Sequence, residues 1–158
     1  MIGAISETHY DQILRINERF VHWLAPLDRD ELKHVLGIAS YSRQINQAQG
    51  VLIGYGHDAN YPGHENMQWF SRMFDLYFYI DRIIIDESAL GRGYGRLLYA
   101  DIENFARASG YPRLTCEVSI IPDNPGSHSF HERMGFRPCG EQIYKPGVKA
   151  VRYYEKPL

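Results

Sequence analysis

The chain has 158 residues, 44% of them hydrophobic and 23% charged, with a formal net charge of −2. That length suits one domain, residues 1–158, with a substantial core. The small negative charge argues against a general nucleic-acid binder, which carries a basic surplus. No apolar run reaches transmembrane length, so no membrane association is expected. Two isolated cysteines, Cys116 and Cys139, with no leader-like segment fit a reducing cytoplasm and no disulfide framework.

Residues 8–24 read as a first helix, with Thr8 as cap and Ile13, Leu14, Ile16, Phe20, Val21 and Leu24 as its apolar stripe; Pro26 ends it. A short second helix starts at Asp28 or Asp30 and runs through Leu32, Val35 and Leu36 to Gly37. Residues 38–45 and 51–56 read as strands joined by the polar turn 46–50. Residues 57–75 form the least regular segment, with Trp69, Phe70 and Phe74 either packing it onto the sheet or stacking on a substrate, packing being the commoner duty of large aromatics.

Residues 76–85 follow as a central strand, its run Ile83, Ile84 and Ile85 suited to a strand buried on both faces. Next comes a glycine-rich turn, Gly91, Arg92, Gly93, Tyr94, Gly95 and Arg96, and then a helix marked by Leu98, Ile102, Phe105 and Ala106 and ended by Gly110 and Pro112. Residues 114–121 read as a second buried strand, parallel to the first because a helix connects them. A short helix at 127–134 and a final hairpin, 136–144 and 150–155, complete the chain.

The strand, glycine turn and helix present free N–H groups at a helix N-terminus, which favours a bound anion such as a phosphate; a plain tight turn is the other reading. A dinucleotide fingerprint needs the third glycine one residue later, and a nucleotide P-loop needs a Gly-Lys-Ser/Thr that is absent. The turn resembles the pyrophosphate-cradling motif, Gln/Arg-x-x-Gly-x-Gly/Ala, of the GNAT superfamily of N-acetyltransferases. Gly93 and Gly95 match its small positions, whereas Leu90 replaces the usual Gln or Arg. A second block, Asn124, Ser127, His131, Gly135 and Phe136, falls in register on that family's C-terminal signature.

The resemblance implies an α/β (α+β) GNAT fold: a mixed twisted sheet of six to seven strands, its two central parallel strands splayed, flanked by about four helices. It implies acetyl-CoA as co-substrate and transfer of an acetyl group to a primary amine, a small molecule in the leading reading, by direct attack in a ternary complex. Protein-lysine or N-terminal acetylation and a non-catalytic acyl-CoA sensor are the alternatives, and a homodimer is possible. The pantetheine arm would bond main-chain groups near Ile83 and Ile85, with an amide near Ile83 stabilising the oxyanion. Asn124 would order the pantetheine or simply form the turn. The attacking amine must be neutral, so a base is needed; Asp81 and Glu117 on the central strands are the candidates, with an ion pair to Arg82 or Arg72 as the other reading of Asp81. His131 stands where many members place a tyrosine and would protonate the leaving thiolate, unless it only packs the short helix. The pairs His128/His131 and His57/His64 lack a third ligand at recognisable spacing, so no metal is expected.

Overall fold

A computed structural model describes the whole chain, Met1–Leu158. Seven strands form one sheet in the order β1-β2-β3-β4-β5-β7-β6. They are β1 (Ile2–Ala4), β2 (Tyr41–Ile45), β3 (Gly50–Gly56), β4 (Phe78–Ile85), β5 (Arg113–Ile121), β6 (Arg137–Lys145) and β7 (Lys149–Pro157). Five helices flank it: α1 (Tyr10–Glu18), α2 (Arg29–Ile38), α3 (Glu65–Met73), α4 (Tyr94–Ala108) and α5 (Pro125–Arg133). Every neighbouring pair is antiparallel except β4 and β5, which run parallel with α4 crossing between them.

The sheet separates two apolar layers, as expected when a strand alternates its side chains between faces. On one face Ile13 and Ile16 of α1, Leu32 and Val35 of α2, and Met67 and Phe70 of α3 pack on Ile53, Tyr55, Tyr79 and Ile84. On the other, Leu98, Tyr99, Ile102 and Ala106 of α4 pack on Phe78, Ile80, Leu114, Cys116 and Val118. The alternation changes phase within β4. Ile53 opposes Arg82 but Gly54 opposes Ile80, so Asp81 is an extra, bulged residue. Tyr79 and Ile84 therefore share one face although they stand an odd number of positions, five, apart.

Three expectations are corrected. The first helix stops at Glu18 instead of reaching residue 24. Asn17, fully buried, donates from its side-chain amide to the carbonyl of Ala25 (3.1 Å) and folds the following segment back on the helix. Residues 57–75, expected to be irregular, contain α3, whose N-cap is the ring of His64 accepting from the N–H of Met67 (3.2 Å); histidine is not among the favoured caps, so the start signal is weak. The second helix runs on through Ile38, and the strand expected from there begins at Tyr41. The three-residue β1 is a further element, held by its ladder to β2 and by Ile2 packing on the core at the α4 side.

Within α3, Trp69 stacks on Tyr153 with centroids 4.1 Å apart, and Phe70 is fully buried. Both serve as packing mass.

Candidate active site

The strands β4 and β5 pair only at Phe78 with Leu114 and Tyr79 with Thr115. Their closed end is fastened by the Thr115 hydroxyl, which donates to the carbonyl of Phe78 (3.2 Å), and by Arg113, which donates to the carbonyl of Leu76 (3.0 Å). Beyond Tyr79, β4 stays paired with β3 while β5 stays paired with β7, so the two central strands diverge. A wedge-shaped gap opens between them, and the β5-facing edge of β4 from Ile80 onward has no strand partner. Two cavities meet in this gap, one of about 710 Å³ on the α4 and α5 side and one of about 860 Å³ on the side of α3 and β7. Trp23, Leu24, Asp81, Arg82, Glu117, Asn124 and Ser127 line both.

The first cavity contains most of the residues singled out in the sequence. Ile83, Ile85, Leu90, Gly91, Gly93, Tyr94, Gly95 and Arg96 all line it. Ile84 points into the opposite core with 1% exposure, and Arg92 is exposed and outside the cavity wall. Gly93 is the N-cap of α4 at φ +78°, a left-handed conformation that side-chain-bearing residues rarely adopt. The first main-chain bond of α4 is from Leu97 to the carbonyl of Gly93, leaving the N–H groups of Tyr94, Gly95 and Arg96 without main-chain acceptors. Gly95 is needed for a different reason: a Cβ there would lie 2.9 Å from the ring of Phe130 on α5. The free donors, the positive helix end and Arg96 fit the diphosphate of a coenzyme. Arg133 of α5, not anticipated from the sequence, adds a second cation to this wall. Asn124 accepts from the N–H of Ser127 through its side chain (3.4 Å) and caps α5.

The titratable groups differ sharply in state. Glu117 receives a hydrogen bond from the Tyr79 hydroxyl (2.6 Å) and has no cationic partner within salt-bridge distance. Burial pushes its carboxyl up to about 7, with the Tyr79 hydrogen bond acting the other way. Asp81 sits 2.6 Å from Nε of Arg82 and 3.9 Å from Nε2 of His64. Burial alone would raise it, but Arg82 and His64 outweigh burial and hold it below the usual carboxylate range. Arg82 also donates to the side chain of Asn17 (2.8 Å) and the carbonyl of Ala25 (3.3 Å), so the pair is tied into the loop after α1.

His131 faces the cavity but is 4% exposed, and burial drives its imidazole down to about 4. Nδ1 lies 2.8 Å from the carbonyl of Ser127, which can only accept, so Nδ1 carries the proton. Nε2 then accepts from the Tyr99 hydroxyl (2.6 Å). In this arrangement the imidazole is neutral near pH 7 and has no proton free for a leaving sulfur, which differs from the expectation for this position. His128 is likewise engaged, donating from Nε2 to the carbonyl of Ser119 (3.0 Å). Tyr79, Trp23 and Lys149 are the neighbours of Glu117's two cavities that sequence reading passed over; nothing in their spacing marks them, because they converge from three distant parts of the chain.

The sequence matches the profile described as the Acetyltransferase (GNAT) family over residues 5–136. No curated protein matches it at a significant level. Among solved structures it is similar to smu.2055 from Streptococcus mutans UA159, with TM-score 0.75, 15% identity, and 99% of this chain and 98% of that chain covered. The ribosomal-protein-S18-alanine N-acetyltransferase from Escherichia coli superposes with TM-score 0.71 and 16% identity, over 99% of this chain and 92% of the other. A GNAT family acetyltransferase from Elizabethkingia anophelis with acetyl-CoA bound gives TM-score 0.65 and 15% identity, over 100% and 97% of the two chains. At such identities the structures speak for the fold, and the profile match, which spans well over half the chain, settles the family: the protein belongs to the GNAT acetyltransferases, a family of acyltransferases.

Proposed function

We propose that the protein transfers the acetyl group of acetyl-CoA to the primary amine of a small molecule, by direct attack with both substrates bound. The observation that carries this reading is the position of Glu117. Its carboxyl lies where the cofactor-side and acceptor-side cavities meet, it lacks a cation, and its proton affinity is matched to neutral pH. A base poised near the working pH is the efficient choice for deprotonating an amine. Asp81 is a poorer base, because Arg82 already stabilises its charge.

Acetyl-CoA, when bound, supplies a thioester at whose carbonyl carbon a C–N bond forms and the C–S bond breaks, the proton lost by nitrogen balancing the one gained by sulfur. The free main-chain donors of α4 and the side chains of Arg96 and Arg133 bind the diphosphate end. The unpaired β4 edge near Ile83 orients the pantetheine arm and offers an amide to the developing oxyanion. Glu117 takes the amine proton, and Tyr79 holds the carboxylate in place. His131, as a neutral, doubly bonded imidazole, ties Ser127 on the cavity wall to the buried Tyr99 of α4. The acceptor cavity, about 860 Å³, has the size of a small-molecule site.

Incubation with acetyl-CoA and an amine panel tests the reading through release of free CoA. The expected result is turnover whose kcat rises with pH through about 7 and then levels, as the raised Glu117 carboxyl ionises. Glu117→Gln should lower kcat about 10²- to 10⁴-fold and leave acetyl-CoA binding intact. Tight acetyl-CoA binding with no turnover on any amine would make the protein an acyl-CoA sensor instead.

A further inference from the structure

The acceptor-side cavity contains one cation that is held in no ion pair. Four fully ionisable side chains line it: Asp81, Arg82, Glu117 and Lys149. Asp81 and Arg82 satisfy one another at 2.6 Å. Two histidines, His22 and His64, complete the set of titratable nitrogens, and His64 is already the cap of α3 beside Asp81. Glu117 is left for the amine. Lys149, at the start of β7, is half-buried and in no ion pair; its Nζ donates only to the Trp23 carbonyl (3.3 Å) and the Ser119 hydroxyl (3.4 Å), both neutral and both long.

An ammonium has three donors, and two long contacts to neutral oxygens leave one without a partner on a side chain that lines the cavity. Burial disfavours its charge, and Glu117 is the ionised neighbour that opposes this. Glu117 and Ser119 are alternate residues of β5 and therefore point to the same face, about 7 Å apart along the strand. An amine held at Glu117 and an anionic group held at Lys149 would be separated by a span that a short substrate covers.

We infer that the acceptor is a primary amine that also carries an anionic group, a carboxylate or phosphate, with Lys149 as the specificity-determining residue that binds it. This rests on the reading of Glu117 as the base. Such a ligand fills both empty roles at once: its amine meets the carboxylate, and its anion supplies the counter-charge that Lys149 lacks. A charge-assisted hydrogen bond from a half-buried ammonium is strong because little water screens it.

The test compares kcat/KM for 4-aminobutanoate with butylamine, and for O-phosphoethanolamine with ethanolamine, in wild type, Lys149→Met, Lys149→Glu and Lys149→Arg. Wild type should prefer the anionic member of at least one pair about tenfold or more, the discrimination expected of one such bond. Whichever pair shows it identifies the anion as carboxylate or phosphate. The ratio should collapse towards one in Lys149→Met, fall below one in Lys149→Glu, and persist in Lys149→Arg. A wild-type ratio of one or less in both pairs overturns the inference, whatever the variants do. So does a parallel loss on both members of a pair in Lys149→Met with the ratio kept, which would make Lys149 a strut for the Trp23 segment. If no amine releases CoA, the reading of Glu117 fails instead. The inference is then decided by whether 4-aminobutanoate or O-phosphoethanolamine raises the melting temperature of wild type, and not of Lys149→Glu, more than its uncharged partner does.

Discussion

A carboxyl group that titrates near 7 needs desolvation without an ion-pair partner, and Glu117 has both features: burial raises it, and its one close side-chain partner is the hydroxyl of Tyr79, with no cation at salt-bridge distance. That hydroxyl favours the ionised form. Tyr79→Phe should therefore move the ascending limb of the pH–rate profile to higher pH and lower kcat at pH 7, without abolishing turnover at pH 9. An unmoved limb would show that the limb belongs to another group. The same profile tests His131. Its imidazole is held neutral from about pH 4 upwards, so no descending limb between pH 6 and 8 should come from it. A descending limb in that range that disappears in His131→Phe would restore it as the proton donor.

The elements around the gap depend on close approaches that a few residues permit. Gly93→Ala forces a β-carbon into a left-handed conformation, at a cost of about 1–2 kcal/mol, and should lower both the melting temperature and acetyl-CoA affinity, since the same turn aims the free donors of α4. Gly95→Ala places a methyl 2.9 Å from Phe130 and should part α4 from α5, a change read as a rise in KM for acetyl-CoA. In β4 the bulge at Asp81 re-aims two consecutive charged residues onto one side of the sheet, where Arg82 reaches Asn17 and Ala25. Removing the guanidinium leaves the buried carboxylate of Asp81 with only the more distant ring of His64. Arg82→Met should destabilise the fold by about 3–5 kcal/mol by chemical denaturation, and a loss below 1 kcal/mol would mean that water reaches Asp81 freely.

Across the whole molecule, the two desolvated groups at the gap act on stability in opposite directions. Glu117 is raised to about 7 from 4.5, so between those values the folded state holds its proton more tightly and folding weakens as pH rises. His131 is lowered to about 4 from 6.5, so the unfolded chain binds more protons there and folding strengthens as pH rises. The melting temperature of wild type should be nearly flat from pH 4.5 to 6.5. Glu117→Gln should show a rise over that range, and His131→Asn a fall. The two windows almost coincide because desolvation at the gap moves a carboxyl up and an imidazole down across the same pH range. Much of that architecture was legible in the residues alone. The Ile83 to Ile85 run, the glycine turn and the periodic helix after it specify a strand, turn and helix through local rules of backbone freedom and side-chain spacing, whereas the Asn124 to Phe136 block was legible through its resemblance to the family's signature. Those rules act over a few residues, so they place Gly93 and Gly95 without the rest of the chain. They could not end the first helix at Glu18, because what ends it is a buried Asn17 bonded to Ala25, nor find α3, whose cap is a histidine. They could not rank Asp81 against Glu117 either. Both are carboxylates on central strands; one is neutralised by its neighbour across a bulge, and the other is left unpaired where two strands diverge. Charge state depends on burial and on partners brought from elsewhere in the chain, such as Tyr79 at Glu117 and His64 at Asp81, and only the folded sheet sets those distances.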